Sequence, residues 1–239
     1  MMKSLRGADH AIEKSQITVN YHWENAEPPP SYRYNAQTIL QICEELGAKR
    51  VLDLGCGNGA LARLLSQAGF QVTACDVDRR GIEIASQVDS GVRFLQLGAY
   101  DDPSELNESE FDVVVCAEVI EHLYIPRQVP RFARAVLKPE GHLVVSTPYH
   151  GYLKNLAISI LDKWDFHHNS FEEGGHIKFF SPKTLARLLK EERFEVARFH
   201  FVGRFHFFWN GMIAVARQAA HGSDPAARVS PAQAGVQQS

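Results

Sequence analysis

The sequence predicts a doubly wound α/β fold, and three observations carry that reading. Short β-branched runs recur at RVLDL, QVTAC, VRFLQL, FDVVVC and GHLVVST. Most are separated by segments with helical periodicity, such as NGALARLLSQAG and PRQVPRFARAVLKPEG, and that alternation gives a parallel sheet covered on both faces. The first strand runs directly into a glycine-rich turn, VLDLGCGNGALARLL, where a backbone can approach a ligand closely.

Taken in chain order, the elements begin after a polar leader. ENAEPPPSYRYN cannot start a helix until its prolines are passed, and AQTILQICEELG then places apolar residues at helical spacing, predicting a helix over 35–46 that stops at Gly47. The helix after the fourth strand is expected to keep Pro126 and Pro130 in its first turn, to bury Phe132, Val136 and Leu137, and to end at Pro139-Glu140-Gly141. From 148 to 180 the alternation breaks into a segment holding four of the eleven histidines and many aromatics, which reads as a substrate-side insertion after the fifth strand. Within it Leu156, Ile160 and Trp164 recur every four residues and predict a short amphipathic helix near 153–163. Ser181 then supplies an N-cap with Pro182 behind it, and Leu185, Leu188 and Leu189 form the buried stripe of a helix ending near Glu192. FEVARFHFV and MIAVAR add two strands, bringing the sheet to seven. Residues 219–239 are small and polar without period, so they read as a disordered tail. The expected organisation is a leader or lid over 1–34, one domain over 35–218, and the tail.

Composition narrows the class. A chain of 239 residues can fold as one domain without covalent staples. With 25 Lys and Arg against 28 Asp and Glu, the formal net charge of −3 offers no field for a phosphate backbone, which argues against nucleic acid. Cys43, Cys56, Cys75 and Cys116 are scattered without a CxxC pair and read as buried thiols of a reducing compartment. No segment approaches the ~20 apolar residues that span a bilayer, so a soluble, cytoplasmic protein is expected.

At the glycine turn, Gly55-x-Gly57-x-x-Ala60 fits the permissive dinucleotide fingerprint. Asp53, two positions before it, changes the reading: an acid at a strand end facing a helix N-terminus suits a cationic ligand and would repel a pyrophosphate. Asp76 ends the second strand 23 residues later, where an acid can accept both hydroxyls of a ribose, and Asp78 competes for that role. An acid followed by G-x-G-x-G resembles the class I S-adenosylmethionine-dependent methyltransferases over roughly residues 35–217. That resemblance implies a Rossmann-like, mostly parallel seven-stranded sheet with one antiparallel strand, and S-adenosylmethionine as cofactor. It also implies that Asp53 with Gly55, Gly57 and Gly59 holds the methionine half, that Asp76 binds the ribose, and that Cys116 and Ala117 border the methionine side. Gly98, Ala99 and Tyr100 stand where the family often has an acid for the adenine. By position alone, Arg33 or Tyr34 of the leader could reach the methionine carboxylate.

The stretch AEVIEHL, directly after FDVVVC, puts Glu118, Glu121 and His122 at the end of a buried strand. These are ligand types for a divalent cation such as Mg²⁺, which would lower a hydroxyl's pKa and fix two vicinal oxygens for methyl transfer. E-x-x-E-H followed by His176 before K-F-F-S-P is similar to the ubiquinone-biosynthesis O-methyltransferases and to small-RNA 3′-terminal 2′-O-methyltransferases. The similarity implies Glu118, Glu121, His122 and His176 as metal ligands. The alternative is that the motif only follows the strand, with Glu118 near the cofactor and Glu121 in a surface pair. His122 and His150 are candidates for proton removal, as are His167 and His168, since an unperturbed imidazole titrates near neutral pH. The insertion aromatics Tyr149, Tyr152, Trp164, Phe166 and Phe171, and the passage FHFVGRFHFFWNG, either pack the sheet or line an apolar acceptor site and touch lipid.

The expected function is thus O-methylation of a small aromatic or lipid-like hydroxyl, with a divalent cation an open option. The competing readings are a metal-independent O- or N-methyltransferase of natural-product biosynthesis, an RNA 2′-O-methyltransferase, a non-catalytic S-adenosylmethionine-binding subunit, and an NAD-dependent oxidoreductase.

Overall fold

The computed structural model describes residues 23–167, 171, 175–203 and 209–219. Residues 1–22 of the leader or lid expected over 1–34, and the expected disordered tail from residue 220 on, lie outside these. In chain order the elements are α1 (Tyr32–Glu45), β1 (Arg50–Leu54), α2 (Ala60–Gln67), β2 (Gln71–Asp76), α3 (Arg79–Ser86), β3 (Arg93–Gln96), β4 (Phe111–Ala117), α4 (Gln128–Val136), β5 (Leu137–Pro148), α5 (Tyr152–Ile160), α6 (Trp164–His167), α7 (Pro182–Glu191), β6 (Phe194–Val202) and β7 (Gly211–Gln218). Single 3₁₀ turns occupy Pro103–Leu106 and Ile120–His122.

The seven strands form one sheet in the order β3-β2-β1-β4-β5-β7-β6. All neighbours pair in parallel except β7, which is antiparallel to both β5 and β6. Side chains alternate across a strand, so β1 sends Leu52 and Leu54 to one face and Val51 and Asp53 to the other. The first face packs on Phe132 and Val136 of α4 and on Leu185 and Leu189 of α7. The second packs on Ile39 and Ile42 of α1 and on Ala62 and Leu65 of α2. The chain leaves β1 toward β2 and leaves β4 toward β5, on opposite sides, so a crevice opens at the carboxyl ends of β1 and β4. Every residue of the expected cofactor and metal sites except Arg33 and His176 lies near or just beyond the carboxyl end of a strand at that edge.

Several boundaries differ from the sequence reading, beginning with α1, which spans Tyr32–Glu45 instead of 35–46. The α4 helix ends at Val136, and Leu137 already pairs with Phe111 as the first residue of β5; Pro126 lies ahead of the helix, with only Pro130 in its first turn. The insertion helix spans Tyr152–Ile160, shorter than expected, and Trp164 belongs to the separate α6. Its apolar stripe is not buried: Leu156, Ile160 and Trp164 are 41%, 72% and 51% exposed, while Ile158 on another side is buried. Periodicity located the helix but not the face it buries, because burial depends on what packs against the helix. The capping box at Ser181 and Thr184, with Pro182 behind it, starts α7 as expected. All four cysteines are free and buried, and no helix among the described residues is long and apolar enough to cross a membrane.

One contact fixes the approach of α3 to the glycine turn. A Cβ built on Gly81, in the first turn of α3, would lie 2.8 Å from the Gly57 carbonyl oxygen and 3.0 Å from Trp23. Alanine for glycine in a helix ordinarily gains up to ~1 kcal/mol. Here the overlap with main chain reverses the sign, and Gly81→Ala should cost about 1–3 kcal/mol. Thermal melting checks it: a variant with an equal or higher midpoint would show that the turn yields freely.

Candidate functional site

The glycine turn leaves β1 with Gly55, Gly57 and Gly59 all at positive φ, 87°, 53° and 77°. Gly57 has no room for a side chain, because its Cβ would fall 2.4 Å from the Trp23 ring. That indole belongs to a strap of leader chain lying along the start of α2. Asn58 donates to the carbonyls of Asn25 and Glu27 at 3.0 and 2.7 Å, and Arg63 donates to those of Ala26 and Asn58, both at 2.7 Å. The strap had no sequence signal beyond its prolines. Arg33, in the first turn of α1, is exposed, whereas Tyr34 is half-buried against the α1-side core.

Asp53 is 1% exposed, on the same face of the sheet as α2. Burial first, and then the Asp76 charge, push its carboxyl up to about 7, with the Ala62 backbone N–H of α2 working the other way. Its Oδ2 is buried without a hydrogen-bond partner. Asp76 accepts the Gly57 N–H at 2.7 Å and the Asp78 N–H at 2.8 Å, so it clamps the glycine turn to the end of β2. Asp78 caps α3 by accepting from Arg80 and Gly81 at 2.8 and 3.3 Å. Gly98 is not followed by an empty place. Asp101 folds back so that its Oδ2 accepts the Gly98 N–H at 2.8 Å, returning an acid to the end of β3. Cys116 is fully buried in the core on the α4 side of the sheet, so its thiol does not line the crevice.

Beyond β4 the four residues expected as metal ligands separate. Glu121, His122 and His176 come together, with one ligand atom from each lying within 4.8 Å of the others. The Glu121 side chain is 0% exposed, and neither of its oxygens has a well-formed hydrogen bond, with the Thr147 hydroxyl and the residue's own backbone N–H as its nearest donors. His176 Nε2 lies 4.0 Å from Glu121 Oε1, and the His122 and His176 rings meet edge to face at 4.9 Å. The approach of His176 has a local cause: the N–H groups of Ile177 and Lys178 both donate to the Glu121 carbonyl, at 3.0 and 2.9 Å. His122 Nδ1 lies 3.3 Å from the Gly175 carbonyl. Burial, then the charge of Glu118, drive the Glu121 carboxyl well above the usual carboxylate range. Both facts replace the surface-pair alternative with a buried carboxylate that faces two imidazoles.

Glu118 is not in that group. Ser146 donates to its Oε1 at 2.7 Å and Asn35 at 3.1 Å, and its backbone stands at a φ of 56°. Asn35 and Ser146 were missed by the sequence reading, although each carried a signal. Asn35 is a polar residue on the apolar stripe of α1, and Ser146 a hydroxyl inside the run LVVST. His150 sits outside the cluster with its ring 4.9 Å from Phe179, and the structure leaves His168 outside the described residues. Tyr149, Phe201 and Trp209 form an aromatic group at the same edge, with Tyr149 5.0 Å from Phe201 and 6.1 Å from Trp209.

Comparison with known proteins agrees on one family. A family described as a methyltransferase domain matches residues 23–198. The ubiquinone biosynthesis O-methyltransferase of Vibrio vulnificus is 30% identical over 200 residues, 80% of this chain and 84% of that protein. The enzyme of the same name from Ralstonia nicotianae is 28% identical over 200 residues, 78% and 81% of the two chains. Among solved structures, magnesium protoporphyrin IX methyltransferase from Synechocystis with bound S-adenosylhomocysteine is similar at a TM-score of 0.58, with 18% identity over 90% of this chain and 95% of that one. The methyltransferase domain of the bacterial protein CtHen1 is similar at 0.57, with 25% identity over 77% and 97%.

The state of Asp53 gives a test with a defined sign. Its folded pKa of about 7 lies above the ~3.9 of an unfolded aspartate, so between those values the unfolded chain has lost a proton that the native state keeps. Stability of the ligand-free protein therefore falls as pH rises through this window, and the full penalty is present above it. Asp53→Asn should raise the melting temperature more at pH 8 than at pH 5. An equal gain at both would show that Asp53 is ionised throughout.

Proposed function

Because the chain belongs to the methyltransferase-domain family and is an S-adenosylmethionine-dependent methyltransferase, we propose that it methylates an oxygen of a small aromatic or lipid-like hydroxyl acceptor, with a divalent cation held by Glu121, His122 and His176. The observation that carries the cation is the Glu121 carboxylate, fully buried, without a well-formed hydrogen bond and facing two imidazoles. A charge in that setting costs several kcal/mol unless it is paired. The donor set of one carboxylate and two imidazoles fits a first-row divalent cation, and with water also Mg²⁺. Relatives named for O-methylation support oxygen as the accepting atom.

In this reading Asp53 and the glycine turn hold the cationic methionine half, Asp76 takes the ribose, and Asp101 turns its acid toward the adenine. Glu118 stands between the glycine turn and the cluster, since Val119 beside it packs on Gly55. The cation, when bound, lowers the acceptor's pKa and orients its oxygens. The chain's own part is to align the acceptor in line with the sulfonium methyl and to exclude water. His150 is the candidate to take the acceptor's proton, and S-adenosylmethionine, when bound, would supply the methyl group to the acceptor oxygen. The exposed stripe of Leu156, Ile160 and Trp164 supports an acceptor with an apolar substituent or a lipid surface nearby.

Chelation with EDTA should abolish transfer to a catechol, and Mn²⁺ or Mg²⁺ should restore it. Glu121→Gln should weaken Mn²⁺ binding, measured calorimetrically, by about 100-fold or more, since it removes a direct ligand rather than a supporting one. Turnover unaffected by EDTA and by Glu121→Gln would instead favour metal-independent transfer.

A further inference from the structure

We propose that Trp23 is a cofactor-binding residue whose indole N–H donates to a ribose hydroxyl of S-adenosylmethionine, beside the carboxylate of Asp76. This rests on the placement of the ribose at Asp76 and is independent of the cation.

The place of the N–H follows from its two ring neighbours. Nε1 is bonded to Cδ1 and Cε2; a Cβ built on Gly81 would lie 3.0 Å from Cδ1, and one built on Gly57 would lie 3.1 Å from Cε2. The N–H edge of the indole therefore faces the notch where the glycine turn meets the first turn of α3. Two carboxylates hold that notch together. Asp76 accepts the Gly57 N–H at 2.7 Å, and Asp78 accepts the Gly81 N–H at 3.3 Å. Even so, Nε1 is buried and has no acceptor among the described residues. A buried donor left unpaired costs about 1–3 kcal/mol. Phenylalanine would fill the notch without that cost, so the N–H calls for an acceptor that arrives with the ligand.

The chemistry of the neighbours names that acceptor. An ionised carboxylate only accepts, an indole only donates, and a hydroxyl does both. Each oxygen of Asp76 already takes one backbone N–H, from Gly57 and from Asp78, and keeps a lone pair for one donor more. A ribose hydroxyl that donates there still has lone pairs to satisfy, and the Trp23 N–H is the donor at hand. The ring is also held before the ligand comes, because Asn58 and Arg63 bind the carbonyls of Asn25, Ala26 and Glu27. Such preorganisation spares the cost of ordering the strap on binding. The leader thus serves the cofactor through Trp23, and not through Arg33, which is exposed.

The cofactor carries a second acceptor, the methionine carboxylate, and the test separates the two. It follows the indole ¹⁵N–¹H signals of the full chain, which has three tryptophans. Trp23 is identified by the signal lost in Trp23→Phe, or by elimination with Trp164→Phe and Trp209→Phe should that variant fail to fold. S-adenosylhomocysteine should move the Trp23 proton downfield, as a new hydrogen bond does. 5′-Methylthioadenosine, which keeps the ribose and lacks the carboxylate, should move it equally. By calorimetry, Trp23→Phe should raise the Kd of both ligands about 3–10-fold. The proposal is overturned if the signal stays in place, if only S-adenosylhomocysteine moves it, or if Trp23→Phe binds both ligands as wild type does. If Asp76→Asn leaves both Kd values unchanged, the ribose placement fails and takes this inference with it.

Discussion

Buried carboxylates at one edge of the sheet set the terms for the rest of the molecule. Asp53, Asp76, Glu118 and Glu121 stand at the carboxyl ends of β1, β2 and β4, and burial raises the pKa of each. No lysine or arginine appears among the groups that shift them. The protein meets the cost with backbone N–H groups for Asp76, with Asn35 and Ser146 for Glu118, and with neighbouring imidazoles for Glu121. Ionising these groups in a low dielectric is costly until a positive charge arrives. A sulfonium cofactor and a divalent cation are the ligands that such an edge favours.

The two halves of the crevice are built by different means. On the cofactor side the main chain does the shaping: three glycines at positive φ, a carboxylate clamp from Asp76, and the strap pinned by Asn58 and Arg63. Trp23 fills the space a side chain would need at Gly57, and Trp23 with the Gly57 backbone fills it at Gly81. On the acceptor side the side chains do the shaping, and a segment far away in sequence completes the site by laying its N–H groups on the Glu121 carbonyl.

Much of this was legible in the sequence. Alternating strand and helix patterns located all seven strands, and the capping residues of α7 were readable because Ser181 and Pro182 act locally. Asp53, the glycines and Asp76 could be found because they sit at fixed distances from strand ends. The insertion was harder. Its helix showed a clear stripe, but whether a stripe is buried depends on what lies opposite, and Leu156, Ile160 and Trp164 remain exposed. The end of α4 was misplaced for a related reason: Leu137 suits a helix and a strand equally, and pairing with Phe111 decides between them.

The sequence by itself determined the sheet, the cofactor edge and the identity of the ligand types, since periodicity and turn chemistry act over a few residues. Only the tertiary structure decided how those ligand types are divided. Glu118 and Glu121 are three residues apart and chemically alike, and nothing local distinguishes them. Asn35 arrives from 83 residues before Glu118 and Ser146 from 28 after it, while His176 comes to Glu121 from the far side of the insertion. Contacts of that range are set by packing of the sheet against α1 and by the path of the insertion, and they give the two glutamates of one motif different surroundings.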